Sequence, residues 1–160
     1  MSTTTSDTTT IGRMETRILR EGYGETAWHG PDLKAALADV TSDAAFWRPA
    51  PGRHNIAEIA LHHAYCARGV RAKLSGVDAE PFILEGDDWF ALSDESSLPW
   101  SKIFAVVETE QERLAAIVAD IAQRESPMAD AERFNLVLGI TCHAVYHAGQ
   151  VQLIKRLHGQ

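Results

Sequence analysis

The sequence contains no apolar run approaching the ~20 residues that cross a bilayer, and its N-terminus lacks the basic-then-apolar pattern of a secretory signal. A cytoplasmic protein with no membrane partner is therefore expected. Cysteine is scarce: Cys66 and Cys142 are the only two, too few for a disulfide framework, and they read as reduced, buried small hydrophobes. Positive charge is also short, with 15 Lys and Arg against 22 Asp and Glu, a formal charge of -7. No dense basic stripe offsets that balance, which excludes nucleic acid as an expected partner. Strand-like alternation and internal repeats are absent as well.

What remains is a chain of 160 residues, 45% hydrophobic and 23% charged, the composition and size of one globular domain. Residues 1–10 are nearly all Ser, Thr and Asp and read as a disordered tail, leaving residues 11–160 as a single domain. Ile11 to about Tyr23 has helical spacing and is interrupted at Gly22 and Gly24. A second piece begins near Trp28-His29-Gly30-Pro31, with Pro31 suited to a first turn, and Thr41-Ser42-Asp43 can cap a short turn through Trp47. Asn55 with Glu58 three residues later reads as a capping box ahead of Ile56, Ile59, His63, Val70 and Leu74, in a helix ending at Gly76. Residues 77–99, rich in Asp, Glu, Pro, Gly and Ser, read as a long crossing connection that lets its flanking helices run parallel. A third long helix spans Trp100 to about Gln123, broken by Ser126-Pro127, and the last runs from about Glu132 to Leu157. An all-α four-helix bundle follows.

The last helix carries the informative interruption. Steps of four and three place Leu136, Ile140, His143, His147, Gln150, Ile154 and Leu157 on one seam, so two histidines and a glutamine stand where apolar residues belong. His143 and His147 are about 6 Å apart in rise on one helical face, close enough to converge on one ion. The alternative is a pair of hydrogen-bonded core histidines. A third imidazole from His62-His63 would complete an open divalent site, and the apolar stripe of that helix is centred nearer His63 than His62.

The segment Gly52-Arg53-His54-Asn55-Ile56-Ala57-Glu58-Ile59-Ala60-Leu61-His62, taken with His143-Ala-Val-Tyr-His147-Ala-Gly149-Gln150, resembles the DinB/YfiT-like superfamily. The likeness extends from about Ile11 to Leu157. It implies a bundle with a long link between its second and third helices, frequent homodimerisation, and one divalent metal ion, zinc or nickel, on His62, His143 and His147. It also implies that His63 occupies a position usually filled by a core aliphatic residue, so that His63→Leu should keep the metal while His62→Ala loses it.

Members of that superfamily are best understood as metal-dependent thiol transferases and isomerases. The expected function is accordingly a metal-dependent thiol transferase or hydrolase acting on a small molecule. The rival expectation is a non-catalytic metal-binding bundle serving as a stress-linked sensor or dimeric interaction module. Glu58 could orient His62 but is explained by its cap. Cys66, one turn after His62, could be a fourth ligand or a buried thiol. Gln150 could bond a ligand or face solvent, Tyr146 and Trp28 could line the mouth of a pocket, and His29, His54 and His158 read as solvated.

Overall fold

The computed structural model describes residues 4–24, 27–123, 126 and 128–160, with side chains from Thr10 onward. Among these it contains six helices and no strand: α1 (Thr4–Gly22), α2 (Leu33–Leu37), α3 (Ser42–Phe46), α4 (Ile56–Ser75), α5 (Trp100–Ile121) and α6 (Asp130–His158). α1 opens at Thr4, so residues 4–10, expected in a tail, are helical; residues 1–3 of that tail lie outside the described residues. So does Pro127 of the expected Ser126-Pro127 break, and α5 has already ended at Ile121.

Local chemistry accounts for most boundaries. Asn55 accepts from the Glu58 N–H while the Glu58 carboxylate accepts from the Asn55 N–H, the reciprocal pairing of a capping box. Gly76 ends α4 at φ 68°, a left-handed conformation that glycine adopts without a Cβ penalty. Thr41 caps α3 through the Ala44 N–H. The start of α2 differs from expectation: Asp32 is the cap and accepts from the Ala35 N–H, which puts Pro31 one residue before the cap rather than in the first turn.

The four long helices close a ring in which α1 packs on α6, α6 on α4, α4 on α5 and α5 on α1. Their directions follow from which residues meet. Ile56 to Ala64 of α4 share an apolar cluster with Ile103 and Val107 of α5, while Ala67 and Leu74 share a second cluster with Leu114 and Val118. α4 and α5 therefore run parallel, as a connection over residues 77–99 permits. The same clusters pair early α4 with Ala144 to Ile154 and late α4 with Val137 and Ile140, so α6 is antiparallel to α4.

α1 runs parallel to α6 at very close range. A Cβ on Gly22 would lie 2.9 Å from Ala144 Cβ. At its other end α1 meets the C-terminal cap of α5, where a Cβ on Gly12 would lie 2.3 Å from Ala122 Cβ, a separation that real side chains do not reach.

Two stripes are wider than helical spacing implied. On α6 burial centres on Val137, Thr141, Ala144, Ala148 and Val151 as well as Ile140, His147 and Ile154, and Leu157 of the expected seam is exposed. The reason is that α6 is covered by α1 and α2 on one side and α4 on the other. On α4 every residue from Ile56 to Ala64 is buried. With no solvent face there, a helical wheel cannot separate His62 from His63.

One core contact is ionic. Arg133 of α6 donates from Nε to both carboxylate oxygens of Glu15 on α1, at 3.1 and 2.9 Å, and both side chains are almost wholly buried. Arg133 Nη1 also donates to Asp130 at 2.9 Å, so removing Glu15 leaves the buried charge with one exposed partner, a cost near the lower end of the about 3–5 kcal/mol typical of a broken buried pair. Glu15→Ala should therefore lose about 3 kcal/mol in urea unfolding, and a loss below about 1 kcal/mol would show that the pair is not holding α1 to α6.

Candidate metal centre

Near the level where one apolar cluster gives way to the other, the core turns polar. α4 contributes His62, His63 and Cys66, α6 contributes His143 and His147, and α5 contributes Gln111. His62 Nε2 lies 3.0 Å from His143 Nε2, and His147 Nε2 lies 3.1 Å from His143 Nε2. Ligand atoms of His62, Cys66 and His143 all lie within 4.8 Å of one another, so these three side chains can hold a metal ion, and His147 adjoins them at His143. Cys66 Sγ is 3.9 Å from both ring nitrogens of His62.

The two neighbouring histidines of α4 reach the cluster differently. His62 turns Nε2 toward His143 Nε2. His63, fully buried, meets the opposite edge of the same ring, Nδ1 to Nδ1 at 3.1 Å. Adjacent helical positions diverge by about 100°, and here they grip two different nitrogens of one imidazole.

The outward-facing nitrogens have partners. His62 Nδ1 is 2.9 Å from the Asp88 carbonyl oxygen and 3.0 Å from the Asp88 carboxylate. His147 Nδ1 is 2.6 Å from Gln150 Oε1, and Gln150 in turn donates to the Tyr146 hydroxyl at 3.2 Å. Asp88 comes from the 77–99 connection at φ 63°, and among the described residues it is the one non-glycine with positive φ. Asp tolerates that conformation better than most residues. The next residue, Trp89, is sandwiched between His62 at 3.9 Å and His54 at 3.7 Å, the rings nearly parallel.

Burial, then the charges of neighbouring His143 and His147, pushes the His63 imidazole down to about 3. His143 is lowered to about 4 by burial and by His147 and His62, and His147 is lowered chiefly by burial. These rings are neutral at pH 7, the form in which imidazole binds metals. Burial raises the Cys66 thiol to about 11, which keeps it protonated.

Glu58 does not reach His62. Its carboxylate receives Arg48 Nη2 at 2.6 Å and Nη1 at 3.0 Å, the Leu92 N–H at 3.1 Å and His54 Nδ1 at 2.9 Å, besides its cap. It therefore fastens the loop before α4 and the 77–99 connection to one point. His54, expected to be solvated, is held by Glu58 and stacked on Trp89. His29 is exposed and bonds the Glu21 carbonyl, His158 pairs with Asp43, and Trp28 is exposed away from the site.

A cleft of about 450 Å³ opens beside the cluster, with His147, Gln150 and Trp89 at one end and Leu153, Ile154 and Leu157 along its wall. Tyr146 lines it as expected. A separate cleft of about 300 Å³ against Phe82 and Val106 holds none of the histidines.

Residues 25–151 match the family model of the DinB superfamily. The chain belongs to the DinB superfamily. No curated protein and no solved structure matches it. In this DinB-superfamily chain, His62, His143 and His147 fall within the matched span, as do the less foreseeable Asp88, Trp89 and Gln111. No described helix is long and apolar enough to cross a membrane.

The Glu58 clamp has a pH signature. Burial acts to raise the carboxyl, but Arg48, the Leu92 N–H and His54 outweigh it and hold it at about 2 against an ordinary 4.5. Above pH 4.5 the contribution to stability is complete, and it is lost as pH falls toward 2, because the unfolded chain takes up the proton first. Glu58→Gln should therefore be less stable than the parent at pH 7, and the gap should narrow as pH drops through that window. Urea midpoints of both proteins at pH 7, 4 and 3 check this, and a gap independent of pH would count against the clamp.

Proposed function

We propose that this protein is a metal-dependent transferase or hydrolase acting on a small molecule, with His62, His143 and His147 holding one divalent ion, zinc or nickel. The observation that carries the reading is the placement of hydrogen-bond acceptors. Asp88 and Gln150 sit on the Nδ1 atoms of His62 and His147, which leaves Nε2 of each without a hydrogen and turned toward His143 Nε2. Both lone pairs face His143 Nε2, at 3.0 and 3.1 Å, a nitrogen with at most one hydrogen to offer, whereas a cation among the three satisfies all of them. Four-coordinate zinc with bonds of 2.0–2.1 Å separates its nitrogen ligands by roughly 3.3 Å, near the two spacings at His143, which supports this donor set.

Once bound, a divalent ion supplies Lewis acidity, and imidazole donors suit zinc and nickel alike. The chain's own residues supply the rest. Three protein ligands would leave one position of a four-coordinate ion free, and the cleft that reaches His147 is bordered by Tyr146, Gln150 and Trp89, space for a small molecule. That cleft is within the usual range of ligand pockets, about 300–1,000 Å³, and its apolar wall at Leu153 and Leu157 suits a ligand with a nonpolar part. A low-molecular-weight thiol is one such reactant.

A closed, non-catalytic metal site is the competing reading, and the nearness of Cys66 to His62 and His143 is what favours it. Competition titration with zinc separates the two. The parent should take up one equivalent, His62→Ala, His143→Ala and His147→Ala should each lose stoichiometric uptake, and Cys66→Ala should retain the parent affinity. Loss of binding in Cys66→Ala would favour the closed site, and retention by all three histidine variants would sink the metal reading. Zinc at 100 times its dissociation constant should stabilise the parent by about 2.7 kcal/mol, so chelation should lower its melting temperature.

A further inference from the structure

His63 stands outside the group of Nε2 atoms yet has no exposed surface, and its two nitrogens both have polar neighbours. Nε2 is 3.4 Å from Oε1 of Gln111, a buried residue of α5. Nδ1 is 3.1 Å from Nδ1 of His143. An amide oxygen can only accept, so the hydrogen of neutral His63 lies on Nε2 and points at Gln111. His63 Nδ1 is then an acceptor, and the hydrogen in the contact between the two rings belongs to His143 Nδ1. His143 consequently carries no hydrogen on Nε2, the atom that faces both His62 and His147.

We propose that Gln111 and His63 form a buried relay that fixes His143 as its Nδ1–H tautomer and so presents its Nε2 lone pair to the cluster; its consequence for metal binding rests on the reading proposed above. His62 and His147 draw their acceptors from Asp88 and Gln150, near the cleft. His143 is turned the other way, toward α4 and α5, and needs an acceptor supplied from within the core. An aliphatic residue at position 63 would leave its Nδ1–H buried without a partner, or shift the hydrogen to Nε2 and remove a ligand lone pair. His63 and Gln111 are positioning residues, since neither approaches the open side of the cluster.

The relay revises the expectation that His63→Leu binds metal as the parent does: the three ligands remain, but one is no longer held in the binding tautomer. Two measurements test it on the full chain. Long-range ¹H–¹⁵N correlation spectra of the metal-free protein at neutral pH report which nitrogen of His143 bears the hydrogen, and competition titration reports zinc affinity. The parent should show His143 protonated on Nδ1. His63→Leu should lose that preference and weaken zinc binding roughly 10- to 100-fold. Gln111→Leu should shift both readouts in the same direction, and His63→Gln, whose amide oxygen can accept from His143, should recover most of the affinity.

A parent His143 protonated on Nε2 would overturn the relay. So would a folded His63→Leu with parent-like zinc affinity, folding being verified by its melting curve. If His63→Leu does not fold, the Gln111→Leu and His63→Gln pair decides by the same two readouts. A parent with the expected tautomer but no zinc uptake supports the relay while overturning the metal reading, so the two fail separately.

Discussion

Placing four imidazoles in the middle of a helical bundle imposes one demand, that every buried ring nitrogen must find a partner. The rest of the architecture is arranged around that demand. An acceptor for His62 comes from a connection outside the bundle, one for His147 from the next turn of its own helix, and one for His143 through a second histidine and a glutamine on a third helix. Apolar clusters lie above and below this layer, and burial lowers the basicity of His63, His143 and His147 and keeps them neutral. Without the surrounding acceptors the same burial would be a defect in the core.

The parallel course of α4 and α5 is part of the same solution. A tight turn between them would have made them antiparallel and left no chain to cover the face of α4 that carries His62. The connection over residues 77–99 instead returns along that face, pinned at Leu92 by the Glu58 carboxylate and the Asn55 side chain. That anchorage brings Asp88 and Trp89 onto His62. The capping box of α4 thus does two jobs with one carboxylate: it starts the helix and locates the wall of the site.

Much of this was legible in the sequence because it is local. The Asn55–Glu58 box, the Gly76 terminus, the length of the 77–99 connection and the i,i+4 histidines are statements about residues a few positions apart. The rest depends on residues far apart in the chain. Asp88 is one acidic residue in a stretch full of them, and only the folded path puts it on His62. Gln111 looks like an ordinary polar residue of an amphipathic helix, and the buried Glu15–Arg133 pair reads as two surface charges. The choice between His62 and His63 was blurred for a related reason: periodicity locates a solvent-facing side, and the first half of α4 has none. Family resemblance favoured His62 as a metal ligand, while the second role open to His63 needed the position of α5.

The wall of the cleft is drawn from two kinds of chain. Its His147 and Gln150 side is a helix packed against the core behind it through Ala144, Ala148, Val151 and Ile154. Its Trp89 side is a segment without regular structure, anchored by the buried Phe90, Leu92 and Leu98 but with exposed positions between them. At those exposed positions variation can accumulate with little effect on folding, as it does in antibody loops carried on a constant framework. A chain that keeps the buried histidine layer has in this segment a place to change what is admitted to it.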